Sequence, residues 1–351
     1  MVRTRRQFSA LGVIAVIATS LVACERPPAP DAGASSGGGG GTATSSNAEV
    51  KGTINIGYFP VVSPVPIMQA QKTLEKQGYT VNWVQITQGL PGAASALAAG
   101  KLDMTWGNSA SATIIFSQSP NAALFVGQSF VNANVTVVST KSGIKSVSEL
   151  KNRKVVVSGL KTASTLFYQM GLKKAGIDPA SDDYFVSGTG PGMVGVLDSG
   201  GAEVAAAYVP YAASMVLKGI GNVLFTGSDA LGSDAPGDGF IASKAFASKH
   251  PNAVTDVLRA QFAATDAIKK SPTESYTQMA TFAQVDVEAV KYSFEKNLVS
   301  IPATYVPDTV GLGKVAALSQ DLGFAPAGVN LPDFVKTFVD TSFATKAASA
   351  S

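Results

Sequence analysis

The chain has 351 residues, of which 46% are hydrophobic, so it is long enough for two domains with cores of their own. Of its charged residues 27 are basic and 24 acidic, and Arg3, Arg5 and Arg6 supply the whole positive excess. The balanced remainder argues against nucleic-acid binding, which needs a basic surface. Because Cys24 and His250 are the only cysteine and histidine, intrachain disulfides, cysteine-based zinc sites and histidine-based catalytic triads are excluded.

The first 24 residues have the pattern of an export signal. A basic start precedes an apolar stretch at 11–22, which is too short to be a convincing membrane span. The Leu-Val-Ala-Cys that follows resembles the lipobox of bacterial lipoproteins, which predicts a signal peptide over 1–24 and lipidation of Cys24. The Arg5-Arg6 pair also resembles the twin-arginine export signal, so the Sec and twin-arginine routes both stay open. We expect a protein anchored by lipid on the outer side of the cytoplasmic membrane, in the periplasm or at the cell surface.

Residues 25–50 are rich in proline, glycine and serine, a composition that cannot bury a core and predicts a flexible linker. Beyond them, short apolar strand patterns alternate with helical patterns. Strands are predicted at 53–58, 81–86 and 104–106, with a small-residue helix opening around Gly89. This alternation predicts βαβ units, and therefore mostly parallel sheets flanked by helices.

The stretch 154–168, KVVVSGLKTASTLFY, predicts a buried strand, a tight loop and the first turns of a helix. Thr162, Ser164 and Thr165 are hydroxyl residues of the type that caps a helix N-terminus. In an open α/β sheet, ligands bind at the carboxyl ends of the strands, and a helix N-terminus there offers free N–H groups and partial positive charge. A small anion is the first ligand that this stretch suggests, although an ordinary strand-to-helix connection fits it equally.

Two distant segments follow the same plan. Residues 100–109 and 200–211 both run through a glycine turn, an acid, an apolar strand and a polar or aromatic rim, which predicts two similar lobes. The first lobe is predicted over 53–137 and 239–351, and the second over 138–238. The crossovers near 135–141 and 236–241 are predicted to act as hinge strands around a central cleft.

Taken together, residues 53–300 resemble the solute-binding proteins of bacterial ABC importers in the nitrate, sulfonate and taurine group. The motifs that carry the resemblance are INIGYFP, ASALAAGKLDMTWGNSAS, IKSVSELKNRKVVVSG and VLDSGGAEVAAAYVPY. It implies a two-lobed type II periplasmic-binding-protein fold that closes over one small molecule and delivers it to an ABC permease with its ATPase; we expect a monomer. Glu203-Val204 replaces the family's usual Asp-Ala, and Gly107-Asn108 stands where a Thr-Gly or Gly-Gly rim is more usual, so the solute stays open.

Aromatic walls with hydroxyl and amide donors at the predicted strand ends suit a small organic oxyanion, such as an aliphatic sulfonate, taurine or nitrate. No arginine lies there, and Lys161, the nearby cation, is expected to be a solvated surface residue. Neither a cofactor nor a metal is predicted. The predicted ligand-binding residues are Phe59, Pro60, Gly89, Asn108, Ser109, Ser164, Thr165, Thr189, Tyr208 and Tyr211.

Parts of the sequence also bear on other functions. Gly190, Gly192 and Gly195 fit a dinucleotide fingerprint, but the acidic residue expected about 20 positions on is missing, which disfavours a cofactor-dependent exported enzyme. An enzyme of thiamine-precursor synthesis would need histidine and cysteine, so no enzyme is predicted. A receptor for a thiamine precursor and a sensory receptor stay open. Trp106 either stacks on ligand or packs in the core, and Asp238 is expected to be a solvated loop residue unless it meets a ligand amine.

Overall fold

The computed structural model describes residues 51–59, 61–86, 89–179, 184–325, 329, 331 and 333–349, and its strands form two β-sheets. The strands of this part of the chain are β1 (Gly52–Tyr58), β2 (Tyr79–Gln85), β3 (Met104–Asn108), β4 (Ala123–Asn132), β5 (Asn134–Ser139), β6 (Lys154–Val157), β7 (Tyr184–Ser187), β8 (Val204–Tyr208), β9 (Gly221–Thr226), β10 (Pro236–Ser243) and β11 (Val299–Ser300).

Helices connect and cover these strands. They are α1 (Val65–Gln69), α2 (Gln71–Lys76), α3 (Gly89–Ala98), α4 (Ser109–Gln118), α5 (Ala163–Lys174), α6 (Pro191–Asp198), α7 (Tyr211–Leu217), α8 (Gly227–Leu231), α9 (Lys244–Lys249), α10 (Pro251–Lys270), α11 (Pro272–Ala283), α12 (Val287–Glu295), α13 (Thr309–Asp321), α14 (Asp333–Phe338) and α15 (Ser342–Ala348). Within the described residues, no helix is both long and apolar enough to span a membrane.

The first sheet has the strand order β11-β4-β10-β3-β1-β2, and the second has the order β7-β6-β8-β5-β9. The predicted α/β fold of two sheets flanked by helices is confirmed. In each sheet the βαβ strands pair in parallel, as β1 does with β2 and β3, and β6 with β7 and β8. The returning strands differ, because β10 and β5 run antiparallel to both of their neighbours. Each sheet is therefore mixed rather than mostly parallel.

The chain passes between the sheets at two short connections. It leaves the first sheet at Ala133, between β4 and β5, and returns through residues 232–235, between α8 and β10. The segments predicted as hinges, 135–141 and 236–241, are for the most part buried strand residues. Tight packing explains why glycine there does not mark a turn: a Cβ on Gly239 would collide with the carbonyl oxygen of Gly127 on β4.

Apolar side chains fill the space on both faces of each sheet. In the second sheet, Val155 and Val157 of β6 pack with Leu166 and Phe167 of α5. Such strands are covered on both faces, which is why their sequences are continuously apolar rather than alternating. On the other face, Met279 from α11 joins a core that includes β5 and β8. Helices that follow the second crossing therefore pack against both sheets, and the division into lobes at 137/138 and 238/239 stays a prediction.

Candidate functional site

A cleft of about 840 Å³ lies where the carboxyl ends of strands from both sheets meet. The first sheet contributes Phe59, which follows β1, and Asn108, the last residue of β3. The second contributes Ser164 at the start of α5, Thr189 after β7 and Tyr208 at the end of β8. Parallel strands that precede helices present their carboxyl ends at one edge, and this topology brings residues from distant parts of the chain together. Five of the ten predicted ligand-binding residues thus line one cleft.

One wall of the cleft is aromatic and apolar. Phe59 and Trp106 meet edge to face with ring centroids 6.5 Å apart, and Ile86 and Ile114 extend the same lining. Trp106 is only 3% exposed, so it both packs in the first sheet's core and forms part of the cleft surface. Its indole Nε1 has no hydrogen-bond partner among the described residues. An apolar wall of this kind suits the organic part of a ligand.

The start of α4 supplies amide donors. Asn108 is the N-cap, and its Oδ1 accepts hydrogen bonds from the backbone N–H and the hydroxyl of Ser111, each at 2.8 Å. This cap fixes the side chain because the carboxamide oxygen faces the helix. The Nδ2 amide is then the end of the side chain that can donate into the cleft.

The start of α5 is built in a similar way. Thr162 is the N-cap and accepts from the backbone N–H of Thr165, while the Ser164 hydroxyl donates to Asn134 Oδ1 at 3.2 Å. Lys161, expected to be a solvated surface lysine, is exposed but lines the cleft: its ammonium donates to the carbonyl of Gly323 and lies 4.7 Å from the ring centroid of Phe324. The free N–H groups of the first helical turn and this ammonium make the α5 end of the cleft electropositive.

Three predicted ligand-binding residues point elsewhere, because their hydroxyls are used in holding the fold. Ser109 donates to the backbone oxygen of Pro236 at 2.6 Å, Thr165 to that of Gly159 at 2.7 Å, and Tyr211 to that of Ala283 at 3.1 Å. Ser109 and Thr165 are fully buried and Tyr211 nearly so. These three residues do not line the cleft. Gly89 begins α3 and stays a prediction as a ligand-binding residue, whereas Pro60 and Cys24 lie outside the described residues.

Asp238 is the residue at this site that sequence reasoning placed wrongly. The sequence PGDG suggested a solvated turn, but Asp238 is an interior residue of β10 with no exposed surface. Its Oδ2 accepts hydrogen bonds from the hydroxyls of Tyr208 and Ser63. Burial raises the pKa of the Asp238 carboxyl to about 7, and burial together with Asp238 raises the pKa of the Tyr208 phenol well above its ordinary value. Tyr208 therefore stays protonated, and its hydroxyl donates a hydrogen bond to the Asp238 carboxyl.

With this geometry established, comparison with known proteins decides the family. The family model described as the NMT1-like family matches residues 47–283, which is more than half of the chain. The chain belongs to the NMT1-like family. A comparison with curated proteins found no match.

Solved structures similar to this NMT1-like protein share its fold at low sequence identity. The periplasmic aliphatic sulphonate-binding protein SsuA from Escherichia coli is 19% identical with a TM-score of 0.69, covering 83% of this chain and 92% of its own. The alkanesulfonate-binding SsuA from Xanthomonas axonopodis pv. citri, bound to MOPS, is 18% identical with a TM-score of 0.67, covering 82% and 98%. The periplasmic nitrate-binding protein NrtA from Synechocystis PCC 6803 is 14% identical with a TM-score of 0.71, covering 85% and 88%. The periplasmic-binding-protein fold inferred from the sequence is confirmed.

In this NMT1-like protein, hydrogen-bond donors and a buried acceptor lie at different parts of the cleft. Helix N-termini, the Asn108 amide and Lys161 provide donors and positive charge at the openings of α4 and α5. Near Tyr208, by contrast, the buried Asp238 carboxyl lies behind the cleft surface and accepts a hydrogen bond from the Tyr208 phenol. Among the residues that the structure describes, no group of three or more histidine, cysteine or acidic side chains could hold a metal ion. The arrangement is suited to binding a small polar organic molecule by hydrogen bonds.

Proposed function

We propose that this protein is an extracytoplasmic solute-binding lipoprotein of an ABC importer, which captures a small organic oxyanion between two lobes and delivers it to the permease. The single observation that carries this proposal is the cleft itself, where strand ends from both sheets and the N-termini of α4 and α5 converge. An aliphatic sulfonate or taurine is the kind of solute we infer. The names of the structurally similar sulfonate- and nitrate-binding proteins support this class.

The donors in the cleft favour a negatively charged group on the solute. Unpaired N–H groups at a helix N-terminus bind anions without a formal charge, and the partial positive charge of the helix adds to that attraction. Asn108 Nδ2 and the ammonium of Lys161 supply further donors on either side. A tetrahedral sulfonate has three acceptor oxygens and can be met by donors from both helices together.

The volume and the apolar wall favour a solute with an organic part over nitrate. A cleft of about 840 Å³ lies in the range that holds drug-sized molecules, far above the volume of a three-oxygen ion. Phe59, Trp106 and Ile114 give that volume an apolar surface, which a carbon chain covers favourably. Closure of the cleft around a bare inorganic ion would leave much of this surface facing water.

Binding without reaction is part of the proposal. The one histidine, His250, is exposed at the end of α9 and does not line the cleft. The described residues that line it offer hydrogen-bond donors and apolar contacts, and among them no nucleophile is paired with a base. We expect solute recovered from the protein to be chemically unchanged, and detection of turnover of a bound sulfonate would contradict this view.

A ligand screen tests the proposal directly. The purified protein is heated with alkanesulfonates of increasing chain length, alkylphosphonates, nitrate, and an aminopyrimidine that represents a thiamine precursor. Because a ligand that binds only the folded state raises its stability, the sulfonates should raise Tm and nitrate should not. Calorimetry then gives Kd for the best compound. A rise in Tm with the aminopyrimidine alone would replace the oxyanion proposal with the thiamine-precursor alternative.

The lipid anchor is a separate part of the proposal and needs its own test. Cys24→Ser removes the only thiol that a lipid could modify. The variant should stay unlipidated and fractionate away from membranes, whereas the wild-type protein should be labelled by a fatty-acid probe and sediment with them. Equal labelling and equal sedimentation of the two proteins would contradict the lipoprotein assignment.

A further inference from the structure

The two crossings between the sheets lie side by side, and a polar contact adjoins them. The backbone N–H of Asn132, beside the first crossing, donates to the carbonyl oxygen of Ala235 in the second at 3.0 Å. On the second sheet, Tyr208 pairs with Asn134, the first residue of β5. On the first sheet, Asp238 lies close to the start of β10, just after the return crossing. The hydrogen bond from the Tyr208 phenol to Asp238 is therefore located at the hinge between the sheets.

Tyr208 separates the Asp238 carboxyl from the water of the cleft. Asp238 is directly opposite Asn108 on β3, and directly opposite residues project to the same face of a sheet. Asn108 and Tyr208 line the cleft, whereas Asp238 has no exposed surface. The phenol thus covers the carboxyl from the side of the second sheet. Rotation of that sheet away from the first lifts the phenol and admits water to the carboxyl.

The groups packed around Asp238 carry no charge. Its Oδ2 accepts hydrogen bonds from the neutral Tyr208 phenol and the Ser63 hydroxyl, and its Oδ1 has no partner among the described residues. Asn108 of β3 and Phe130 of β4 are directly opposite it. None of the ion pairs between described side chains includes Asp238. Tyr208 is the one titratable group among these neighbours.

Charged side chains on the surrounding elements are engaged elsewhere. Lys161, which lines the cleft, donates to the carbonyl oxygen of Gly323. Asp308, which precedes α13, accepts a hydrogen bond from the backbone N–H of Gly311 and caps that helix. An ionised Asp238 is therefore a buried charge without a counter-charge, which is costly.

Closure of the cleft has two opposing effects on the ionised carboxyl. The hydrogen bond gained from Tyr208 favours the carboxylate, whereas burial favours the neutral acid. Burial is the larger effect, because it raises the pKa of Asp238 from 3.8 to about 7 despite the hydrogen bonds. The bond from Ser63 is kept in both arrangements, since Ser63 follows β1 of the same sheet. Opening restores water to the carboxyl and returns its pKa toward the ordinary value, so closure takes up a proton between those two pH values.

We propose that the contact between Tyr208 and Asp238 is a pH-sensitive latch at the hinge, in which closure of the cleft buries Asp238 as the neutral acid and solute binding takes up a proton. This inference rests on the proposed function and adds a form of regulation to the same cleft. Acid favours the closed form that holds solute, and alkali favours opening because the carboxylate is then stabilised by water. This advantage of the closed form is fully present below about pH 4 and is lost as the pH rises to about 7.

Calorimetry with butanesulfonate measures the proton directly. Titrations at pH 5, 5.5 and 8, each in two buffers of different ionisation enthalpy, compare wild type with Asp238→Asn and with Asp234→Asn, which changes an exposed aspartate of the return crossing. A sulfonate stays ionised throughout this range, and the one histidine is exposed at the end of α9. Proton uptake that disappears with Asp238→Asn is therefore assigned to this carboxyl.

We expect wild type and Asp234→Asn to take up close to one proton per solute at pH 5.5. Their Kd should rise by up to roughly a hundredfold between pH 5 and pH 8, the limit for a pKa that closure moves from 3.8 to about 7. Asp238→Asn is neutral at every pH, so it should take up no proton and keep one Kd.

Scattering from the ligand-free protein tests the latch without any solute. The radius of gyration of wild type and Asp234→Asn should be larger at pH 8 than at pH 5, because the ionised carboxyl favours opening. Asp238→Asn should keep the smaller radius at both values. An equal radius of wild type at pH 5 and pH 8 contradicts the latch, even where binding takes up a proton.

The outcomes distinguish the latch from the function on which it rests. If butanesulfonate binds without proton uptake, or if Asp238→Asn takes up as many protons as wild type, the latch is wrong and the oxyanion proposal stands. If no sulfonate binds at millimolar concentration but the ligand-free radius follows pH through Asp238, the latch stands and the oxyanion proposal falls. If neither binding nor a change of radius is seen, both are wrong.

Discussion

At the scale of single residues, the buried Asp238 makes the stability of the protein depend on pH. Its carboxyl has no exposed surface, and burial raises its pKa from 3.8 to about 7. The folded protein therefore holds this proton more tightly than the unfolded chain does. The resulting contribution to stability is fully present below about pH 4, falls as the pH rises toward 7, and changes little above that.

The variant Asp238→Asn tests this dependence, because it keeps the side-chain shape and removes the charge. We expect it to be more stable than wild type at pH 7.5, by up to roughly 4 kcal/mol at 1.36 kcal/mol per pKa unit. The difference should shrink to nearly zero at pH 4. Urea unfolding at pH 4, 5.5 and 7.5 gives the free energies, with Asp234→Asn as the exposed control. A difference that is the same at all three pH values would show that Asp238 does not titrate between the states.

Two serines at the start of α4 differ in whether they serve the fold or the cleft. Ser109 is fully buried and donates to the Pro236 carbonyl, whereas Ser111 lines the cleft and holds the Asn108 side chain. Ser109→Ala should lower the free energy of unfolding by about 1–3 kcal/mol, since it leaves a buried acceptor unpaired. Its solute affinity should stay within about twofold of wild type, which is much less than the roughly tenfold loss expected when a hydrogen bond to the solute is removed.

Ser111→Ala is the matched comparison for this prediction. It loosens the Asn108 side chain that donates into the cleft, so solute affinity should fall while unfolding changes less. Chemical unfolding and calorimetry on both variants give the two quantities. A loss of affinity in Ser109→Ala as large as that in Ser111→Ala would place the solute against Ser109 after all.

At the scale of whole elements, the N-terminus of α4 combines two tasks in one residue. Asn108 Oδ1 caps the helix, and its Nδ2 is the end that can donate to a solute. Aspartate caps a helix as well as asparagine does but has no N–H. Asn108→Asp should thus keep the helix cap while weakening sulfonate binding by at least roughly tenfold to a hundredfold. Its stability should fall at pH 7.5, because the new carboxylate lies directly opposite Asp238 on β10.

Calorimetry and urea unfolding measure these two effects separately. Asn222→Asp, which adds the same charge on an exposed residue of β9, is the control and should leave the affinity unchanged. Asn108→Ala should reduce both stability and affinity, because it removes the cap together with the donor. If Asn108→Asp binds sulfonate as tightly as wild type, the α4 N-terminus is not part of the anion site.

The sequence predicted elements well where one local pattern sufficed. The stretch 154–168 predicts a strand, a loop and a capped helix, and β6 and α5 follow that plan with Thr162 as the cap. The sequence-based prediction was wrong where tertiary packing gives a residue a role different from its usual local one. Glycines beside Asp238 indicate a turn in a sequence, yet in β10 they are what lets neighbouring strands approach closely. For the same reason the sequence indicates a solvated carboxylate where the structure has the buried Asp238.

The candidate site was harder to predict than the fold. Strand ends could be located along the chain, so Asn108, Ser164 and Tyr208 were found. Whether a hydroxyl faces the cleft or a backbone carbonyl depends on rotation of a helix by a fraction of a turn, and periodicity does not define that rotation. Phe324 and Gly323 reach the cleft from beyond α13, in a region that carries no local ligand-binding pattern.

At the scale of the whole molecule, the two sheets are joined in ways that a hinge motion must respect. The chain crosses once at Ala133 and once through 232–235, and α11 packs against the core of the second sheet. Across the cleft, the Tyr208 phenol at the end of β8 donates to Asp238 in β10. This hydrogen bond links the second sheet to the first. The hydrogen bond from Ser63 to Asp238, by contrast, joins the segment after β1 to β10, and both of these strands belong to the first sheet.

Closure of the cleft around solute should depend on that link. A ligand shifts an equilibrium only through different affinity for its two states, so a solute that touches both sheets favours the closed state. Small-angle scattering should show a smaller radius of gyration on saturation with the best-binding sulfonate. Tyr208→Phe should enlarge the ligand-free protein, because it removes the bond across the cleft. Ser63→Ala loses a bond to the same carboxylate without uncoupling the sheets and should leave the ligand-free radius unchanged. No compaction with ligand, or equal expansion in both variants, would mean that the two sheets do not move as separate bodies about these crossings.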